Sequence, residues 1–273
     1  MKRVLALMLL AFVASCSTGS SEEVNFKLSQ PLGQKSAYTM KNRLKVDSTD
    51  PTSNSVLGSQ QMELDAAFDT EVTASEPDGQ WTLQSRFNSI DLKVNGERQD
   101  AMAGGIAGKT FTVTMDKDGK VIDVKGSENL PPGMDVREMM KQMNPTNLLP
   151  DRSVRVGESW PVEVVTPMQL QGATLNQTLK GTGTLTEVTD GQAIIDLDYT
   201  IQMSMLDQGP SGVTMSGNGK GKSRMAYDLE RARFTMNKND LTLESTGEMS
   251  AGDRVHKMKS TMTSSIEVNL VNK

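Results

Sequence analysis

One histidine, one cysteine and nineteen methionines bound the chemistry open to this 273-residue chain. His256 has no second histidine to share a metal, and the single cysteine, Cys16, lies near the opposite terminus. Neither a catalytic triad nor an imidazole-based metal site can be built from that inventory, so His256 reads as a strand-end or surface residue. Two segments, Gly104-Gly105-Ile106-Ala107-Gly108-Lys109-Thr110 and Gly217-Asn218-Gly219-Lys220-Gly221-Lys222-Ser223, end as a phosphate loop does. The leading glycine of that pattern is missing from both, since Ala103 and Ser216 stand in its place. A strand pattern also follows each, where phosphate binding needs a helix amino terminus. Both are expected to be glycine-rich hairpin connections. The paired acids Asp196/Asp198 and Asp116/Asp118 read as a solvated strand face and a tight turn, without the converging oxygens of a calcium loop.

Methionine is the unusual item. Met139, Met140 and Met143 share a helical face and resemble thioether clusters that hold Cu(I). Methionine is also an adaptable core filler and a lining for greasy binding surfaces. Core packing fits most of the others, including Met203, Met205 and Met262 at apolar strand positions. As a binding surface, the set would be Met139, Met140, Met143, Met203 and Met205. No cofactor, no metal and no catalytic residue is expected.

The elements that must carry these side chains are mainly strands. Tyr38, Met40, Leu44 and Val46 alternate with Thr39, Lys41, Arg43 and Lys45, and Ile195 to Met205 alternates in the same way opposite Asp196, Asp198, Thr200 and Gln202. Period-two alternation marks strands with one dry face, the habit of antiparallel sheets. Asp78-Gly79, Asp118-Gly119 and Asp190-Gly191 are hairpin signals between such runs. Long one-sided strands twist and must curl or be covered, so the fold class is mainly β: a large curved antiparallel sheet, barrel or half-barrel. Glu71-Val72-Thr73 with Asp78-Gly79-Gln80 recurs as Glu187-Val188-Thr189 with Asp190-Gly191-Gln192. Asp116 and Asp228, each closing a strand, match as well. Two similar halves are therefore expected within a single domain over 24–273, at about 24–126 and 154–273. The connector, 127–153, would hold one short amphipathic helix at 134–143 acting as a lid.

The first fifteen residues have the parts of a secretory signal: Lys2 and Arg3, an apolar run from Val4 to Val13, then small residues. The run is too short to stay in a bilayer as a helix. Val13-Ala14-Ser15-Cys16 resembles the lipobox of bacterial lipoproteins. That resemblance implies cleavage before Cys16, palmitate-type acylation there, and a tether over 16–23. Ser17, in place of aspartate, favours the periplasmic face of the outer membrane by resemblance to enteric sorting. The formal net charge is −5, more negative once Lys2 and Arg3 are removed, and no basic cluster invites nucleic acid.

Gly108-Lys-Thr-Phe-Thr-Val-Thr-Met-Asp-Lys-Asp-Gly-Lys-Val121, with Leu149-Pro150 and Val154-Arg-Val-Gly-Glu-Ser-Trp160, looks like an uncharacterised family of β-rich bacterial lipoproteins. The resemblance implies no activity. In architecture alone the expected fold is similar to periplasmic lipoprotein-carrier proteins. The expected function is a non-enzymatic binding module for a lipid or other apolar ligand, anchored to the envelope. The alternative is a structural or accessory protein that binds another envelope protein.

Overall fold

The computed structural model describes residues 23–26, 30–126, 145–170, 173–205, 213–251 and 254–271. In chain order the elements are β1 (Lys35–Thr49), β2 (Val56–Ser75), β3 (Trp81–Val94), β4 (Glu97–Arg98), α1 (Asp100–Ile106), β5 (Thr110–Met115) and β6 (Val121–Lys125). A 3-10 turn at Pro145–Leu148 then leads to β7 (Ser159–Leu170), β8 (Ala173–Thr189), β9 (Gln192–Met205), β10 (Val213–Asp228), β11 (Arg233–Ala251) and β12 (Arg254–Val271). They form one curved antiparallel sheet in the order β6-β5-β3-β2-β1-β12-β11-β10-β9-β8-β7, with β4 paired to β3. Each group of strands is a simple meander. The two meet where β1 pairs with β12, from Ala37 opposite Val271 to Thr49 opposite Lys259. Among the described residues β6 and β7 end the sheet unpaired with one another, so it is not closed into a barrel.

The alternation read from the sequence sets the register. One row across the sheet runs Asp91, Asp65, Lys41, Glu267, Lys238, Arg224, Asp196, taking one residue from each of seven neighbouring strands. Ion pairs along it include Lys238–Glu267 at 3.5 Å and Arg224–Asp196 at 3.2 Å. These side chains stay well exposed, so each pair is worth only about 0–1 kcal/mol. Their larger effect is on pairing. A slip of any one strand by a single residue would carry that strand's charged side chains onto the apolar face.

That apolar face builds two cores. Along β7–β11 it joins Trp160, Val162, Leu185, Ile195, Leu197, Tyr199, Met225 and Leu243 with Val24, Phe26 and Val154. Along β3, β5 and β6 it joins Trp81, Phe111, Val113, Met115 and Val121 with Ile106 of α1. A line of rings, Tyr38, Phe68, Phe87 and Phe111, stacked, edge-on and tilted in turn, runs across β1, β2, β3 and β5.

All three Asp-Gly pairs lie in hairpins, but only Asp190-Gly191 is the two-residue turn that such a pair signals; Asp78-Gly79 and Asp118-Gly119 sit in five-residue connections, 76–80 and 116–120. At Asp190-Gly191 both residues have positive φ, 51° and 74°, the primed turn that matches strand twist. Asn95-Gly96 does the same, with φ of 52° and 82°, in the β3–β4 hairpin that the sequence reading did not include.

Both glycine-rich segments differ from expectation. Gly104 and Gly105 lie in α1, a helix not anticipated at that position. Gly217 to Ser223 is not a connection but the middle of β10. Three glycines on alternate positions of a central strand weaken it only if nothing fills the space above them, and here neighbouring side chains do. The helix expected over 134–143, with Met139, Met140 and Met143, and the lipidation site Cys16 lie outside the described residues.

Candidate functional site

The glycines of β10 and β8 decide how the middle of the sheet is filled. A Cβ on Gly221 would sit 2.2 Å from Tyr199 Cζ, and one on Gly183 would sit 2.6 Å from the Trp160 ring. Tyr199 on β9 therefore lies flat over Gly221 of the next strand, and its hydroxyl donates to Asn239 Oδ1 on β11 at 2.7 Å. Trp160 on β7 lies over Gly183 of β8 and donates through Nε1 to the Leu148 carbonyl at 3.0 Å. Burial pushes the Tyr199 hydroxyl above its ordinary pKa, against the opposing effect of Asn239. It stays protonated and acts as a donor at any physiological pH.

At the same level a cavity of about 900 Å³ crosses the sheet, within the size range of small-molecule sites. Seven successive strands, β2, β1, β12, β11, β10, β9 and β8, contribute to it. Each gives an apolar-face residue: Met62, Leu44, Ser264, Leu241, Gly221, Tyr199 and Gly181 in that order. Charged-face neighbours flank them, among them Arg43, Lys45, Lys180, Lys220 and Lys222, with Glu63, Asp198 and Asp240. The wall is thus amphipathic, apolar where Leu44, Met62, Tyr199 and Leu241 meet and lined by charges of both signs along its flanks.

The polar groups around it are largely engaged with one another. Lys222 pairs with Asp198 at 3.1 Å, Lys180 with Glu163 at 2.9 Å, and Arg43 with Asp65 at 2.9 Å. The Arg43 hydrogen bond holds the Asp65 carboxyl below the usual carboxylate range. Among the described residues no group of three or more histidine, cysteine, aspartate or glutamate side chains could hold a metal ion. The acids singled out from the sequence fall where expected: Asp196 and Asp198 on the charged face of β9, each paired with a β10 cation, and Asp116 in the β5–β6 turn. His256 is exposed on β12, opposite Met249.

Met203 and Met205 lie on the apolar face of β9 beyond Tyr199, half-buried, and neither lines the cavity. Met62, Leu44, Leu241 and Tyr199 do line it, and the sequence reading proposed none of them. Each is an ordinary apolar strand position. What makes them a set is the register of seven strands, which no local pattern encodes.

The family described as "Family of unknown function (DUF6263)" matches residues 135–233, from the connector through β10 to the first residue of β11. This includes the Leu149–Trp160 part of the stretch quoted for the resemblance and leaves out the 108–121 part. No curated protein matches the chain. Among solved structures, Pseudomonas aeruginosa OccK11 (OpdR) is similar at 5% identity, with 92% of this chain and 100% of that chain covered and a TM-score of 0.24. Pseudomonas aeruginosa OpdQ follows at 6% identity, 88% and 99% coverage and a TM-score of 0.24. The β domain of the Bordetella autotransporter BrkA stands at 9% identity, 85% and 98% coverage and a TM-score of 0.15. Likeness at these scores transfers neither topology nor activity, and none of the three is a lipoprotein carrier. What the chain resembles by sequence is a family to which no function is assigned.

Proposed function

We propose that the chain is a lipid-anchored binding module of the bacterial envelope, held through Cys16 and taking a lipid or similar amphipathic ligand in the mid-sheet cavity. The cavity carries this reading. Its volume suits such a ligand, and Leu44, Met62, Tyr199 and Leu241 offer contact for an apolar chain. Binding is proposed over turnover because Lys222 and Arg43 beside the cavity are held in ion pairs with Asp198 and Asp65. Ser17 after the cysteine places the anchor, in this proposal, in the outer membrane, facing the periplasm.

The test is native mass spectrometry of protein purified from envelopes after Cys16→Ser, beside a Leu241→Trp variant that fills the cavity. A lipid-sized adduct on the first protein, reduced at least tenfold on the second, is the expected result. Adduct-free protein in every preparation overturns the ligand. If crosslinking in cells then captures one dominant envelope protein, the accessory reading replaces it.

A further inference from the structure

We propose that the protein stands on the membrane by one defined end of its sheet, with Leu32 and Val156 against the phospholipid headgroups and the β1–β2 loop pointing away. The proposal rests on the reading of Cys16 as a lipid anchor.

Its basis is where the described residues nearest Cys16 join the sheet. Val24 donates to the Val154 carbonyl at 2.8 Å and accepts from the Val154 amide at 3.0 Å. Both residues are buried. Phe26 sits edge-on to Tyr227 at 5.4 Å and tilted to Trp160 at 6.4 Å, and Glu23 pairs with Arg155. Val24 lies eight residues after Cys16. Even fully extended, that length reaches about 28 Å.

All of these partners belong to one end of the sheet. Trp160 opens β7, Tyr227 closes β10, and the Asp190-Gly191 and Leu229–Ala232 turns lie alongside. The β2–β3 and β5–β6 turns point the same way. The opposite end, with the Asp50–Ser55 loop, is separated from it by the length of strands such as β12, whose 18 residues span about 60 Å. A tether of about 28 Å can hold only the first end close to a bilayer.

Two large apolar side chains stay in solvent at this end, Leu32 at 65% exposure just before β1 and Val156 at 45% two residues after Val154, while Val56 and Leu57, at 74% and 56%, open β2 at the other end. Isolated exposed apolar residues are ordinary on soluble surfaces. Exposure therefore does not choose between the ends; the short reach from Cys16 does, and it brings Leu32 and Val156 to the headgroup layer.

The experiment uses the lipidated full-length protein on phosphatidylethanolamine–phosphatidylglycerol vesicles. Acylation consumes the one native thiol, so an added cysteine is uniquely labelled. Leu32→Cys, Val156→Cys and Ser53→Cys, each carrying a fluorophore, are compared on vesicles containing headgroup-nitroxide lipid. Labels at 32 and 156 are expected to be quenched at least threefold more than the label at 53. Equal or stronger quenching at 53, on protein that floats with the vesicles, overturns the orientation and leaves the anchor standing. Protein that neither floats nor carries a diacylglyceryl mass on its N-terminal peptide overturns the anchor itself, and the orientation with it.

Discussion

Tyr199 occupies the volume that Gly221 leaves empty, and its hydroxyl reaches Asn239 only because the ring can lie flat across β10. A methyl group at 221 would force the ring up and lengthen that hydrogen bond. Gly221→Ala should therefore cost about 1–3 kcal/mol, the usual range for overpacking a filled site. The cost belongs to the pair. In a Tyr199→Leu background most of it should vanish, leaving a coupling of about 1 kcal/mol or more. Urea unfolding of the four proteins of this cycle measures it, and additive losses would show that the ring does not depend on the glycine. The same pair bears on binding, because both residues line the cavity. A ring displaced from Gly221 would change the shape of the site.

Turn chemistry is where single residues shape whole elements. Asp228 at the end of β10 accepts the Glu230 and Arg231 amides on Oδ1, at 3.0 and 2.8 Å. Asp116 at the end of β5 accepts the Asp118 and Lys120 amides in the same manner, each at 2.9 Å. Gly33 and Gly157, each two residues before a strand, donate alike to the Val72 and Leu185 carbonyls. Asp228→Ala should lower stability by about 1–3 kcal/mol, since a nearly buried charged acceptor leaves two amides unpaired. Asp228→Asn should recover much of this loss. Thermal unfolding compares them, and equal melting of Asn and Ala variants would place the effect elsewhere. These aspartates were legible in the sequence as strand-closing residues, as were the Asp-Gly hairpins and the alternation of strands such as β1 and β9. Asn95-Gly96 was equally legible by the same rule. The course of β10 was not. Gly217, Gly219 and Gly221 resemble a loop by composition, and their strand comes from pairing with β9 and β11 on both sides, with the Tyr199 ring over Gly221. The cavity was hidden for a related reason: its residues lie far apart in sequence and meet through strand register alone.

For the molecule as a whole, one continuous hydrogen-bonded sheet carries two separate cores. The larger joins β7–β11 to residues 23–26 and 154, whereas the smaller holds α1 against β3, β5 and β6. Between them, at the β2-β1-β12 seam, burial is sparse: Met40 and Ala66 are buried, while Leu44, Val46, Leu64 and Met262 are only half-buried. Backbone pairing crosses that seam without interruption, but apolar burial supplies most of the cooperativity of a fold. The two cores should therefore lose structure at different denaturant concentrations, a departure from two-state unfolding. The chain carries its own reporters, because one of its two tryptophans lies in each core, Trp81 in the smaller and Trp160 in the larger. In Trp160→Phe protein the emission of Trp81 should change at the lower urea concentration, since fewer buried side chains hold that core together. In Trp81→Phe protein the emission of Trp160 should persist further, and Phe26→Ala should move that later transition down while leaving the earlier one nearly in place. Coincident transitions from the two tryptophans would mean that the seam transmits unfolding as well as a packed core does. In that case the mid-sheet cavity would be bounded by a rigid wall and not by the weakest part of the sheet.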